Sequence, residues 1–156
     1  MVESSDNAYR ALLVTCGDNL LALPLNAISE VVEIEFLTHV PLVPPAVVGL
    51  SQVRGSALPV VDGSQLFGGS TVETELTHHV NRPCLTIESA GWRIGLLVDH
   101  IHHRFHTSES LVTSLDNSDE VTFSFSGSIS VPGFEQRAFL VDQDSLELAI
   151  QQTRTW

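Results

Sequence analysis

The chain has 156 residues, 43% of them hydrophobic, 17% charged and 6% aromatic, with a formal net charge of −12 from nineteen acidic residues against seven arginines and no lysine. That length suits one domain burying roughly 70% of the surface its unfolded form exposes, so the core needs no staples. The acidic balance excludes a nucleic-acid backbone or an anionic lipid surface as target, since both need clustered basic charge.

Cys16 and Cys84 are too few for a disulfide framework and fit no zinc spacing; they read as small buried hydrophobes. The first residues, MVESSDNAYR, carry acids ahead of the first apolar stretch, the reverse of a secretory leader. No apolar run reaches the ~20 residues that span a bilayer. A cytoplasmic protein without direct membrane insertion is expected.

In chain order, Tyr9 to Cys16 and Leu20 to Leu23 predict a hairpin turned at Gly17-Asp18-Asn19. Pro24 then opens a predicted short helical segment, with Asn26 as cap and Ala27, Ile28, Val31 and Val32 on one side. Val31 to Leu37 continues as a strand, and Pro41, Pro44 and Pro45 stiffen an extended loop. Val47 to Val53 and Ala57 to Val61 predict a hairpin around Arg54-Gly55-Ser56, followed by a short turn and a polar linker at Ser70 to Thr77.

Strands begin again in the second half. Pro83 to Glu88 and Trp92 to Asp99 flank Ser89-Ala90-Gly91, Ile101 to His106 stays extended, and Leu111 to Leu115 is short. Glu120 to Val131 alternates, Pro132-Gly133 turns the chain, and Arg137 to Val141 is a strand. A closing helix is predicted over 142–152, capped by Asp142 or Asp144.

The halves echo one another. Asp18 to Leu23 aligns with Gly91 to Leu96, and Val61-Asp62-Gly63-Ser64-Gln65-Leu66 aligns with Val141-Asp142-Gln143-Asp144-Ser145-Leu146. Each of the second pair is a strand ending in Val-Asp, a capped helical turn and a leucine that packs back. The repeat predicts two small barrels of about five strands each, closed to avoid exposed edges.

Gly49-Leu50-Ser51-Gln52-Val53-Arg54-Gly55 followed by Leu58-Pro59-Val60-Val61-Asp62 resembles the GxxNLRGxxxPVxDL signature of CheW-like domains. Other pieces fit in order: Leu20 to Pro24, Ile28 to Val32, Pro41 to Pro44, Gly95 to Asp99 against GLLVDEV, and Gly127 to Val131 with Val141-Asp142. Gln52 and Val53 replace the usual asparagine and leucine, Gly63 stands where leucine commonly follows the aspartate, and His100-Ile101-His102-His103 replaces acidic and aliphatic residues.

The resemblance covers nearly the whole chain and implies one all-β CheW-like domain over 1–156 with short helices. Its two SH3-like five-stranded barrel subdomains would run about 15–85 and from about 86–142 plus return segments, followed by a C-terminal helix over about 142–152. It further implies a non-enzymatic adaptor without cofactor. Such an adaptor couples the cytoplasmic hairpin tip of a chemoreceptor to the regulatory domain of a CheA-type histidine kinase, in flagellar chemotaxis or a pilus-type surface motility such as twitching.

Arg54, presented at a tight turn with Gly55, is the candidate anchor for that docking, since arginine forks onto carboxylates and helix carbonyls. An internal pair with Glu30 is the alternative role, and both roles fit a pair that opens on docking. Leu42, Val43, Pro44, Val47 and Val53 would form an apolar patch beside Arg54 for a helix-in-groove contact; Val47 and Val53 also suit a core position. The partner-binding set is therefore Glu30, Leu42, Pro44, Val53, Arg54 and Gly55. The segments Arg93 to Val98 and Arg137 to Val141 offer edges for the kinase's similar domain.

A second reading uses the histidines. His100, His102 and His106 would share one face of an extended strand, giving a metal or small-ligand site with His78 or His79, or else a solvated polar strand. Enzyme readings find no phosphate loop, nucleophile elbow or paired acids, and the two cysteines lie in apolar strands that raise a thiol pKa.

Overall fold

The computed structural model describes residues 8–67, 82–89, 91–108, 113, 125 and 127–153. The polar linker at 70–77, His78 and His79, 111–115 apart from Thr113, and most of the alternating stretch before Gly127 lie outside the described residues.

The first hairpin pairs β1 (Ala8–Cys16) with β2 (Asn19–Pro24) in antiparallel register, Leu13 opposite Ala22. The helical segment predicted after Pro24 is one 3-10 turn, Leu25–Ala27, with no side-chain cap. Ile28 to Val32 instead belong to β3 (Ile28–Glu33), because the β-branched run pairs with β6 (Pro83–Ser89). That strand stops at Glu33, short of the predicted Leu37. Strands β4 (Val47–Val53) and β5 (Ser56–Asp62) form the second hairpin, and β5 runs into α1 (Gly63–Leu66). The chain continues through β7 (Trp92–Leu97), β8 (His100–Ser108), β9 (Gly127–Ile129), β10 (Ala138–Leu140) and α2 (Gln143–Gln152).

These strands make two five-stranded sheets, ordered β8-β1-β2-β10-β9 and β3-β6-β7-β5-β4. Membership departs from a boundary near residue 85. The N-terminal hairpin joins the C-terminal strands, and β3 to β7 form the other sheet. The fold is all-β as expected, but the barrels are open: among the described residues no ladder joins β8 to β9 or β3 to β4.

One isolated backbone bridge and several side-chain contacts close the seams instead. In the second sheet Thr38, beyond the end of β3, bridges Leu50 of β4, and Glu30 reaches Arg54 just after β4. In the first, Phe134, between β9 and β10, meets the His102 ring of β8 edge-on at 5.0 Å.

Each sheet is covered on both faces. Ala11, Leu13, Leu20, Ala22, Ile129, Ala138 and Leu140 fill the concave side of the first sheet. Ile34, Leu58, Val60, Cys84 and Leu97 do the same for the second. Between the sheets lies a larger shared core, with Leu12, Val14, Leu21 and Leu23 against Val61, Leu85, Ile87, Ile94 and Leu96, and with Leu146 and Ile150 of α2. Continuous apolar runs such as Leu20 to Leu23 are the sequence signature of strands buried on both sides.

The internal repeat is visible in the topology. β2 and β7 are the central strands, each antiparallel to its hairpin partner and parallel to β10 or β5. Both parallel strands lead to a capping aspartate: Asp62 accepts from the Ser64 amide at 3.1 Å, and Asp142 from the Ser145 amide at 2.6 Å. Asp62 also takes Arg82 at 3.4 Å, and the same guanidinium meets Asp99 at 3.0 Å. Asp99 in turn accepts from the Gly17 amide at 2.6 Å, tying the first hairpin's turn to the end of β7.

Gly63 explains its own departure from the family pattern. A Cβ there would stand 2.6 Å from the Leu97 carbonyl oxygen and 2.9 Å from Cys16 Sγ. Backbone cannot yield as a flexible side chain does, so Gly63→Ala is expected to lower stability by about 1–3 kcal/mol, read as an earlier urea midpoint at unchanged m-value.

Candidate functional site

The predicted partner-binding residues divide between two places. Glu30, Val53, Arg54 and Gly55 come together at the seam between β3 and β4. The hairpin loop is two residues long, Arg54 at φ 51° and Gly55 at φ 79°, the double positive-φ signature of a type I′ turn. Glycine fits that conformation freely; an L-residue with a Cβ pays about 1 kcal/mol for it. Arg54 therefore occupies a strained position, and its side chain remains 75% exposed.

Glu30 is held from below. A one-residue bulge between Ile28 and Glu30 re-aims β3, and the Glu30 amide donates to Thr86 Oγ1 at 3.1 Å, Thr86 itself being buried. The Glu30 carboxylate, 20% exposed, then receives two arginines, Arg54 Nη2 on Oε2 at 2.7 Å and Arg93 Nη2 on Oε1 at 2.8 Å. The internal pairing of Arg54 with Glu30 is thus present. Arg93 is the residue that sequence reasoning did not attach to this site. It stands on β7 opposite Glu88, whose carboxylate lies 3.7 Å from its Nε, and the Glu88–Arg93 cross-strand register was the signal available.

Val53 packs against the core inside the second sheet. Leu42 and Pro44 are elsewhere, which corrects the expected patch beside Arg54. The Pro44 carbonyl accepts from the Val47 amide at 2.9 Å, at the start of β4, whereas Arg54 follows its end. A seven-residue strand separates the two by about 20 Å. Val47 is buried and Val43 packs on the shared core, so neither forms a surface patch. Leu42, at φ 62° and 99% exposed, is the other non-glycine residue with positive φ among the described residues. Two further apolar side chains are about half exposed: Val31 on β3, expected on the apolar side of the helical segment, and Phe36 after it, which was not singled out from the sequence.

The histidine strand departs from its predicted alternation. β1 and β8 shift register between Leu13 and Val14, with Leu13 opposite His103 and Val14 opposite Ile101, so His102 is the extra residue of a bulge. His100 and His103 consequently share the Thr15 and Leu13 face, while His106, opposite Arg10, turns to the other. Among the described residues no three His, Cys, Asp or Glu side chains are disposed to hold a metal ion. Burial pushes both thiols up, Cys84 to about 12, which removes them as thiolate nucleophiles. No helix of the described residues is long and apolar enough to cross a membrane.

Two predictions follow from this geometry. Glu30 and Arg93 are the better-shielded pair, so a double-mutant cycle is expected to give them about 0.5–1 kcal/mol of coupling, with Glu30 and Arg54 below about 0.3 because water screens the exposed guanidinium. At the other seam, desolvation and the charges of His100 and His103 hold the His102 imidazole below its ordinary value of 6.5. The folded state then binds fewer protons there than the unfolded state, so the His102 contribution to stability is fully present above pH 6.5 and is lost as pH falls below that value. Urea midpoints measured across that range are expected to show a shallower decline in His102→Asn than in the parent chain.

Residues 10–148 match the family described as the CheW-like domain. No curated protein matches the sequence. Among solved structures, the scaffolding protein TtCheW from Thermoanaerobacter tengcongensis superposes with a TM-score of 0.70 at 19% identity, over 87% of this chain and 90% of that one. The same sheet architecture is therefore built from a largely different sequence. Because the family match runs through both sheets and into α2, the protein belongs to the CheW-like domain family.

Proposed function

We propose that the protein is a non-enzymatic adaptor of chemosensory signalling, holding the cytoplasmic hairpin tip of a chemoreceptor and the regulatory domain of a CheA-type histidine kinase in one complex. Family membership supports the reading, as does the likeness in fold to the scaffolding protein TtCheW. Whether the output is flagellar or pilus-driven surface movement follows from the kinase it joins. In this reading the protein works in the cytoplasm and makes no bonds; its contribution is to raise the effective concentration of one partner for the other.

One observation carries the assignment of the docking residues. Arg54 and Leu42 adopt left-handed backbone, which costs stability, and both side chains lie in solvent, where they recover little of it. Strained, exposed arginine and leucine side chains suit contacts completed by another molecule. Arg54 forks onto the receptor's helical tip, leaving Glu30 to Arg93, while Gly55 and Val53 fix the turn. Leu42 and Pro44, on the separate loop, provide an apolar contact at the far end of β4. The segments Arg93 to Val98 and Arg137 to Val141, expected from the sequence as edges for the kinase domain, are corrected by the topology: β7 and β10 are paired on both sides and their apolar residues are largely buried, so neither presents a free edge.

The substitution Arg54→Asn separates docking from folding, because asparagine accepts the turn conformation that arginine resists. The variant is expected to melt at or above the parent temperature and to lose about 2 kcal/mol, roughly thirty-fold, in affinity for the cognate receptor's cytoplasmic fragment. Unchanged affinity, measured by calorimetry with the folded variant, removes Arg54 as the anchor.

A further inference from the structure

A second charged surface lies on the first sheet, away from the Glu30 seam. Arg10 and His106 are directly opposite in the β1–β8 ladder, and Arg104 is opposite Leu12, which places Arg10, Arg104 and His106 on one face. They line an open groove of about 440 Å³ with Leu25 and Phe105.

Among the described residues, the arginines on this face differ from the others, each of which has a side-chain partner. Arg54 and Arg93 meet Glu30, Arg82 meets Asp62 and Asp99, and Arg137 donates to Ser128 and Thr113. Among the described residues Arg10 and Arg104 have no carboxylate at ion-pair distance, in a chain that carries nineteen acids. Like charges on diagonal cross-strand neighbours repel and weaken the ladder. The fold therefore keeps two adjacent cations against its own stability, beside apolar surface.

We propose that the Arg10–Arg104–His106 face is a docking surface for a short acidic segment of a partner protein, one in which carboxylates flank an apolar residue. Paired guanidiniums fork onto carboxylates, and Leu25 receives the apolar side chain, Phe105 opposite Ala11 being turned to the core inside the first sheet. A peptide suits the site better than a polyanion, because the net charge of −12 repels nucleic acid and anionic membranes at long range while the two local guanidiniums act over only a Debye length. This surface is independent of Arg54 and goes beyond the adaptor assignment.

The test is an array of randomised decapeptides probed with the fluorescently labelled full chain at about 50 mM and about 200 mM salt. Peptides with two or more Asp or Glu around an aliphatic or aromatic residue are expected to be enriched about ten-fold, less so at the higher salt, and the Arg54→Asn variant is expected to retain that preference. Arg10→Gln/Arg104→Gln, which keeps the polar stems at exposed positions, is expected to lose it at an unchanged melting temperature. If the double variant melts early, Arg10→Gln and Arg104→Gln are compared singly, each with several-fold weaker signal. The proposal is overturned by an array without acidic preference, by a preference that survives in the folded variants, or by erasure of the signal with inorganic phosphate or single-stranded DNA, which would mark a site for small anions or polyanions.

Discussion

The architecture rests on burying both faces of its central strands. β2 and β7 each have hairpin partners on one side and a parallel strand on the other, and their side chains point alternately into a sheet's own hollow and into the shared core. Leu20 and Ala22 go one way, Leu21 and Leu23 the other. A flat sheet exposes one of those sets to water; a sheet bent round its own side chains and laid against a second one exposes neither. The three apolar layers follow from that requirement, and the loops and caps are accommodated to it.

Bending has a consequence at the margins. The outer strands approach without forming a ladder, so the seams rely on side chains and one backbone bridge: a carboxylate between two arginines beside the Thr38–Leu50 bridge in one sheet, a phenylalanine against imidazoles in the other. Such contacts are weaker and more exposed than backbone pairing, and they tolerate change. The repeated halves therefore agree in topology, in the parallel strand and in the capping aspartate, and differ most where their edges reach solvent.

What could be read from the chain follows the same division. The hairpins, the closing helix and its Asp142 cap were legible because alternation, turn residues and an N-cap are local signals. Openness of the barrels was not, since closure depends on how strands more than ten residues apart in the chain align at their ends. The bulge at His102 was invisible for a related reason: a single extra residue leaves composition unchanged yet moves His106 to the opposite face. At the Glu30 seam the pairing with Arg54 could be anticipated, but Arg93 reaches Glu30 only because β3 pairs with β6, a long-range fact. Leu42 and Pro44 were placed near Arg54 from closeness in sequence, and a seven-residue strand was enough to part them.

The strain at Arg54 also bears on how such a surface can stay adaptable. Glycine or asparagine in that turn would relieve the backbone, so the arginine is retained at a cost that no buried contact offsets. Its carboxylate partner does not depend on it, because Arg93 satisfies the other oxygen of Glu30 from a half-buried position. Releasing Arg54 to an outside acceptor therefore leaves no uncompensated charge in the fold. Had Glu30 only one cation, docking would expose or bury a lone carboxylate and the free energy of binding would be spent on that penalty. A shared carboxylate with one inner and one outer arginine keeps a charge partner in the fold whatever the outer one contacts.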